Sequence, residues 1–351
     1  MHTFSFSYIY KYYREVLIKL LIIIMIFGCL LGLLSLSSKS DEIFICFDRI
    51  EGAIEVKVID QQNDLTFRHF YNQSEATYYL FLPAYLREKC FAVKTNSIEK
   101  LQMNEEDLRT IKLAEEDYLI DCDNEKIKIT VMYSENLPMF SMNLVDDISF
   151  INSSKDNESS GLATIIESSG ITTYTGDIRS VHGHGDTSWT QPKKSYAIKT
   201  DRAPLCGMNS SNEWILISNV YDKSFVKNKV VFDFYNRVQD LWSPDCRWVD
   251  LYVNGDYQGN YLLTEKIKIG DNRLQLSDLG KYNKQIFSDV NAIQIDYGDV
   301  TVRAYDYDTK KNEGGYIIER VAEETFLTED TGFELKKQNV ILQLRSLKEP
   351  L

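Results

Sequence analysis

The stretch that most constrains this chain is WVDLYVNGDYQGNYLLTEKI, where Asn254 and Gly255 stand between two runs rich in β-branched and aromatic residues. An Asn-Gly pair in that setting predicts a type I′ hairpin, because both central residues of such a turn need positive φ. A sheet is therefore required, and the same period-two patterning recurs upstream. IEVKVID alternates from Ile54 to Asp60, TYYLFLPAY begins at Thr77, CFAVKT at Cys90 and KIKITVMY at Lys126. LPMFSMNLV is a further apolar run, and LATIIESSGITTYTGDIRSV reads as strand, turn and strand. Between these two segments the patch NSSKDNESSG is loop by composition.

The chain has 351 residues, 44% of them apolar, enough for two domains with real cores. Asp and Glu outnumber Lys and Arg by 52 to 39, giving a net charge of −13. Such a surface repels phosphate backbones and anionic lipid, so no nucleic-acid partner is expected. Beyond Cys29 the cysteines, Cys46, Cys90, Cys122, Cys206 and Cys246, are odd in number and widely spaced, which argues against a disulfide framework. His182 and His184 alternate along one run and read as structural, and no Cys/His spacing suits zinc.

Residues 1–40 read as a signal or transmembrane segment. Lys11, Arg14 and Lys19 precede an apolar run from Leu20 to Leu36, and the flank beyond turns acidic at Asp41 and Glu42. Basic residues stay on the cytoplasmic side, so the bulk of the chain is expected outside the membrane, either anchored by this segment or secreted. The run suits a retained anchor or a cleaved signal alike, with Ser35 and Ser37 as cleavage-site residues. Residues 41–124 follow as a small all-β region, a spacer or binding module of sandwich type, in which Asn104–Leu108 is expected to form a helical turn.

Chemistry concentrates in GHGDTSWTQPKKSYAIKT, from Gly183 to Thr200. Glycines let backbone N–H groups approach a ligand, and lysines supply the charge that phosphate oxygens attract. A glycine turn of Gly183, Gly185 and Ser188, followed by Lys199 at the end of a β-run, resembles the glycine-rich loop and strand lysine of kinases. Trp214 to Asn219 reads as a buried strand. Asp222 or Ser224 then caps a helix in which Phe225, Val226, Val230, Phe234 and Val238 form an apolar face expected to pack on the sheet. Lys223, Lys227 and Lys229 near its start either serve a phosphate with the helix dipole or are solvated charge. Glu265 closes the second run of the hairpin and either pairs with a lysine or faces water.

Taken in order, HGDTSWTQPKKSYAIK, LCGM, WILISNVYDKSFVKNKVVFDF, VDLYVNGDYQGNYLLTEKI and GGYIIE resemble the spore coat protein H (CotH) kinase family from about Lys126 onward. The resemblance implies an α+β fold, a β-rich, atypical kinase-like amino-terminal lobe with one packed helix, over residues 125–351. It also implies ATP with a divalent metal, Mg or Mn, and phosphorylation of Ser or Thr in an exported or cell-surface protein substrate. Carried over by position, Gly185, Ser188, Lys194, Lys199, Asn228, Lys229 and Glu265 are the nucleotide-binding set.

This chain departs from the family pattern in two places. His184, Gly185 and Asp186 stand where the family shows Arg-Gly-Asn. The family's Asn-x-Asp and Trp-Asp-x-Asp segments, which supply the catalytic and metal-binding acids, do not occur after GGYIIE. No catalytic residue is therefore assigned and the metal ligands are unknown; as written, the sequence is expected to be inactive in phosphoryl transfer. The alternative reading is a membrane-anchored adhesion or structural protein, a pseudokinase without catalysis.

Overall fold

A computed structural model describes residues 42–238 and 242–268, Leu274, and four backbone strands further on, at 293–297, 300–304, 317–320 and 333–337. The apolar run Leu20–Leu36 lies outside the described residues. Among those described, no helix is long and apolar enough to cross a membrane.

Eleven strands come first in the chain: β1 (Ile43–Ile50), β2 (Ala53–Asp60), β3 (Leu65–Arg68), β4 (Phe70–Asn72), β5 (Thr77–Leu82), β6 (Cys90–Thr95), β7 (Leu101–Met103), β8 (Glu106–Asp107), β9 (Thr110–Lys112), β10 (Asp117–Cys122) and β11 (Glu125–Tyr133). They form a five-stranded sheet, β3-β2-β1-β6-β9, and a six-stranded sheet, β4-β5-β11-β10-β7-β8. Alternation builds both: in β2, Val56 and Val58 are fully buried while Glu55, Lys57 and Ile59 are half-exposed. One apolar core draws Phe47, Phe67 and Phe91 from the first sheet and Leu80, Ile120 and Ile129 from the second. The helical turn expected at Asn104–Leu108 does not form. Asn104 (φ 54°) and Glu105 (φ 66°) are both left-handed, which reverses the chain sharply and pairs β7 with β8.

Beyond them run β12 (Met139–Leu144), the short helix α1 (Ile148–Ser153), β13 (Glu158–Ile166), β14 (Thr172–His184), β15 (Ser195–Ala203), β16 (Ser211–Ile217), the helix α2 (Lys227–Val238), β17 (Cys246–Val253) and β18 (Asp256–Glu265). Seven of these strands close into a barrel in the order β12-β13-β14-β15-β16-β18-β17. Later residues add two two-stranded antiparallel sheets, β19 (Ile293–Tyr297) with β20 (Val300–Ala304), and β21 (Ile317–Arg320) with β22 (Phe333–Lys337).

The chain divides into two compact units. The first is Met1–Ile148, Gly161–Thr175 and Asp250–Gly259; the second is Ser149–Ser160, Gly176–Val249 and Asn260–Leu351. In the first, the Asn-Gly turn forms as the sequence requires, with Asn254 at φ 50° and Gly255 at φ 92°. Gly255 is needed twice over: its carbonyl accepts from Arg68 N at 3.0 Å, and a Cβ there would lie 2.7 Å from the Thr66 carbonyl oxygen.

The α+β architecture with a packed helix is corrected by these coordinates. Strand is the main element of the described residues, organised chiefly as two sheets and a barrel, and α2 does not bury the face its spacing marked out. Val230 is 58% exposed and Phe234 54%, whereas Lys229, Phe232 and Asp233 are the half-buried positions. The period of the apolar residues made the helix but did not fix which side it turned inward.

Candidate functional site

The glycine turn lies in the second unit, between the end of β14 at His184 and the start of β15 at Ser195. Gly185 has φ +89°, and a Cβ there would run into Ser188 Oγ. At Gly183 a Cβ would meet the Trp189 ring at 2.5 Å, so the indole rests directly on the bare backbone. Trp189 N donates to Asp186 O at 3.0 Å, closing the short helical turn Thr187–Thr190. Lys194 Nζ donates to Trp189 O at 2.5 Å and stands 5.0 Å from the indole centroid. Tyr221 donates its hydroxyl to Thr187 O at 3.1 Å and accepts from Gln191 Nε2 at 3.0 Å. The turn is thus a braced element. Its neighbour Lys193 is also engaged, donating to Asn260 O at 2.5 Å with the Tyr261 ring 4.6 Å away.

A cation from elsewhere in the same unit pairs with the turn. Lys155 pairs with Asp186 at 2.5 Å, so this acid at the turn meets a positive partner. Both side chains are well exposed, and the pair contributes about 0–1 kcal/mol. Burial, followed by the charges of Lys266, Lys155 and His182, holds the His184 imidazole below its ordinary value against the opposing pull of Asp186.

The strand register sorts the remaining residues by face. Val181, Ile198, Trp214 and Glu265 are successive partners across β14, β15, β16 and β18. Glu265 therefore shares the Trp214 face and is 2% exposed. Lys199 pairs with Glu213 on the opposite face, together with His182 and His184. A Lys199–Glu265 ion pair is not formed. Burial raises the Glu213 carboxyl, but its hydrogen bond from Lys268 and the charges of Lys268, Lys266 and Lys199 outweigh this and hold it low.

At α2 the helix start carries its own anion. Asp222 Oδ2 accepts from Lys227 N at 2.8 Å, and Oδ1 accepts from Ser224 N at 3.0 Å and Ser224 Oγ at 2.6 Å. Ser224, then the Lys227 and Ser224 amides, keep this carboxyl below its ordinary value. Asn228 Nδ2 donates to Asn219 Oδ1 at 2.8 Å, and Lys229 Nζ pairs with Asp233 at 2.6 Å. Asn228 and Lys229 thus serve local structure, while Gly185, Ser188 and Lys194 gather at the turn. Lys155 and Lys266 escape a sequence reading: one sits in a polar loop 31 residues from Asp186, the other beside a glutamate that drew attention instead.

Lys155 and Lys194 bring positive charge to the turn, the sign that phosphate oxygens attract. For a divalent metal the described residues give no fit, since no group of three or more His, Cys, Asp or Glu among them could hold the ion. No step through a metal is derived.

Among known families, the one described as CotH kinase protein matches residues 181–323. That stretch begins at the strand leading into the glycine turn and takes in α2 and the Asn-Gly hairpin. No curated protein matches the chain.

Proposed function

We propose that this chain, whose residues 181–323 carry the CotH kinase match, binds ATP at the Gly185–Lys194 turn and belongs to a system that phosphorylates Ser or Thr of an exported or cell-surface protein. The observation that carries the reading is the braced glycine turn itself, where a Cβ at Gly185 would meet Ser188 Oγ, Lys155 pairs with Asp186 and Lys194 stands against the Trp189 ring. ATP supplies the phosphoryl group. The backbone at Gly185 offers N–H groups to phosphate oxygens, Ser188 can donate its hydroxyl, and Lys266 and Lys194 supply positive charge. Lys155 neutralises Asp186, which would otherwise repel the phosphates.

The run Leu20–Leu36 holds the protein at the membrane or directs its export, leaving the chain beyond it extracytoplasmic. Isothermal titration of the chain with ATP, with and without Mg²⁺, tests the reading. Saturable binding is expected, weakened about tenfold or more by Lys266→Ala or Lys194→Ala, the scale of a lost charge-assisted contact. Absence of binding, or affinity unchanged in both variants, overturns it. Phosphoryl transfer is read separately, from ATP labelled at its γ-phosphate, with a Ser/Thr-rich protein as acceptor.

A further inference from the structure

The helix α2 of the second unit has its apolar side turned to water. It is 12 residues long, a length that holds little by itself, since most helices are stabilised by packing an apolar stripe. Val226, Val230 and Phe234 form one row of four-residue spacing, and Val231 and Tyr235 form the row beside it. Each of the five is between 44% and 58% exposed. The half-buried positions, Lys229, Phe232 and Asp233, lie on the other side. Adjoining rows of this kind mark an interaction site, unlike single apolar residues scattered on a surface.

The surface reaches the glycine turn. Tyr221, just ahead of the helix, donates its hydroxyl to Thr187 O at 3.1 Å and accepts from Gln191 Nε2 at 3.0 Å. Lys193 Nζ stands 5.2 Å from the centroid of the Phe225 ring. Tyr221 and Phe225 are exposed in their turn, so open apolar side chains extend from the turn through the helix start and along α2, all within one unit.

Its charge is opposite to that of the molecule. From Tyr221 to Arg237 the acids are Asp222 and Asp233, and both are engaged, Asp222 by Ser224 and the Lys227 amide, Asp233 by Lys229. Lys227 comes no nearer than 3.8 Å to Asp222 and its side chain stays 77% exposed. Lys223 and Arg237 are exposed as well, so cations stand at both ends of the apolar rows. A second copy packed here would set Lys227 against another Lys227 if parallel and against Arg237 if antiparallel, a like-charge contact that costs affinity. An anionic bilayer presents a plane of charge to the whole chain, whose net charge is −13. A single acidic segment meets the helix alone. Apolar side chains flanked by Asp or Glu match both features of the surface, the rows of Val, Phe and Tyr and the cations at their ends.

We infer that the open side of α2 docks the acceptor protein of the proposed phosphoryl transfer, through a helical segment whose apolar residues, at three- and four-residue spacing, are flanked by Asp or Glu. The inference rests on the nucleotide reading of the Gly185–Lys194 turn, to which Tyr221 ties the docking surface. An acceptor held on α2 has its Ser or Thr at high local concentration beside that turn.

Fluorescence anisotropy of the full chain, without ATP, tests the surface. The probe is a fluorescein-labelled synthetic helical peptide of about eighteen residues, with Leu at three- and four-residue spacing and Glu on its flanks. Its counterpart carries Gln in place of every Glu. Saturable binding of the Glu peptide is expected, about tenfold or more tighter than that of the Gln peptide and weakened by added NaCl. Val230→Ser and Lys227→Glu should each weaken it about tenfold. Both side chains are exposed, so the variants keep the fold, which far-ultraviolet circular dichroism verifies, and isothermal titration should give them the unaltered affinity for ATP. No saturable binding of the Glu peptide, equal affinity for the two peptides, or affinity unchanged in both folded variants overturns the inference. So does displacement of the peptide by phosphatidylglycerol but not phosphatidylcholine vesicles, which assigns the face to lipid, or a dimer in sedimentation velocity that Val230→Ser abolishes, which assigns it to a second copy. A chain that binds the Glu peptide but no ATP overturns the nucleotide reading, and with it the acceptor role, while leaving α2 as a site for an acidic segment.

Discussion

His184 is placed where burial and neighbouring cations act in the same direction, so its protonation reports on the charge at the glycine turn. Its folded-state value lies below the 6.5 of an ordinary histidine, which means the unfolded chain binds the extra proton first as pH falls. The sign follows: stability is lost as pH drops from about 6.5 towards the folded value, and His184→Gln should remove part of that loss in urea titrations at pH 5 and pH 7. His69, also lowered chiefly by burial, contributes in the same direction and remains as background in both proteins. An anion bound at Gly185 adds negative charge beside the ring and must raise its pKa. Proton NMR of the imidazole with and without ATP should show that rise; an unchanged titration in the presence of saturating ATP would separate the nucleotide from this turn. Gly185 is equally specific. A Cβ there meets both a left-handed backbone at φ +89° and Ser188 Oγ, so Gly185→Ala should cost roughly 1–2 kcal/mol in denaturant unfolding.

At the scale of elements, α2 separates what patterning determines from what it does not. The sequence offers Asp222 or Ser224 as a helix start and an apolar period from Phe225; Asp222 accepts from Lys227 N and the helix runs from Lys227 to Val238, but Phe225 is left-handed at φ 61° and it and Val226 precede the helix. Its orientation was not legible, because a helix with apolar residues on adjoining stripes can turn inward on either side, and here the Lys229–Asp233 pair is on the half-buried side. Val230→Ser should therefore change stability by less than about 0.5 kcal/mol. Leu216→Ala, on a strand where that side chain is fully buried, should cost about 2–5 kcal/mol. Equal costs in the two variants, measured by urea midpoints at constant slope, would place Val230 in a core after all. The strands follow the same division. Ile54–Asp60 and the Asn254–Gly255 hairpin were readable from local chemistry, since alternation and a left-handed turn pair are properties of neighbouring residues. The faces of Lys199 and Glu265 were not, because they depend on register carried across β15, β16 and β18.

At the scale of the molecule, the closure of seven strands depends on pairings far apart in sequence, such as the parallel match of Met139–Met142 with Asp250–Val253, which no window of the sequence contains. Cysteines provide a probe of each compact unit as folded. Cys46 and Cys122 are buried in the first and Cys246 in the second, while Cys90 is exposed. Burial, reinforced by Glu125 and Asp123, pushes the Cys122 thiol up to about 12; burial, only partly offset by Lys229, pushes Cys246 to about 11, and Cys46 is raised chiefly by burial too. Since the thiolate is the reactive form, all three are doubly protected, by access and by protonation. A thiol-specific reagent at pH 8 should modify Cys90 rapidly in native buffer. Cys46, Cys122 and Cys246 should react only as fast as their surroundings open. Peptide mapping over a urea series then reads the first unit at Cys46 and Cys122 and the second at Cys246. Coincident protection curves mean that the chain unfolds as one cooperative body; separated curves mean that the two units unfold in turn. Rapid modification of Cys122 or Cys246 in the absence of urea would contradict the burial that protects them.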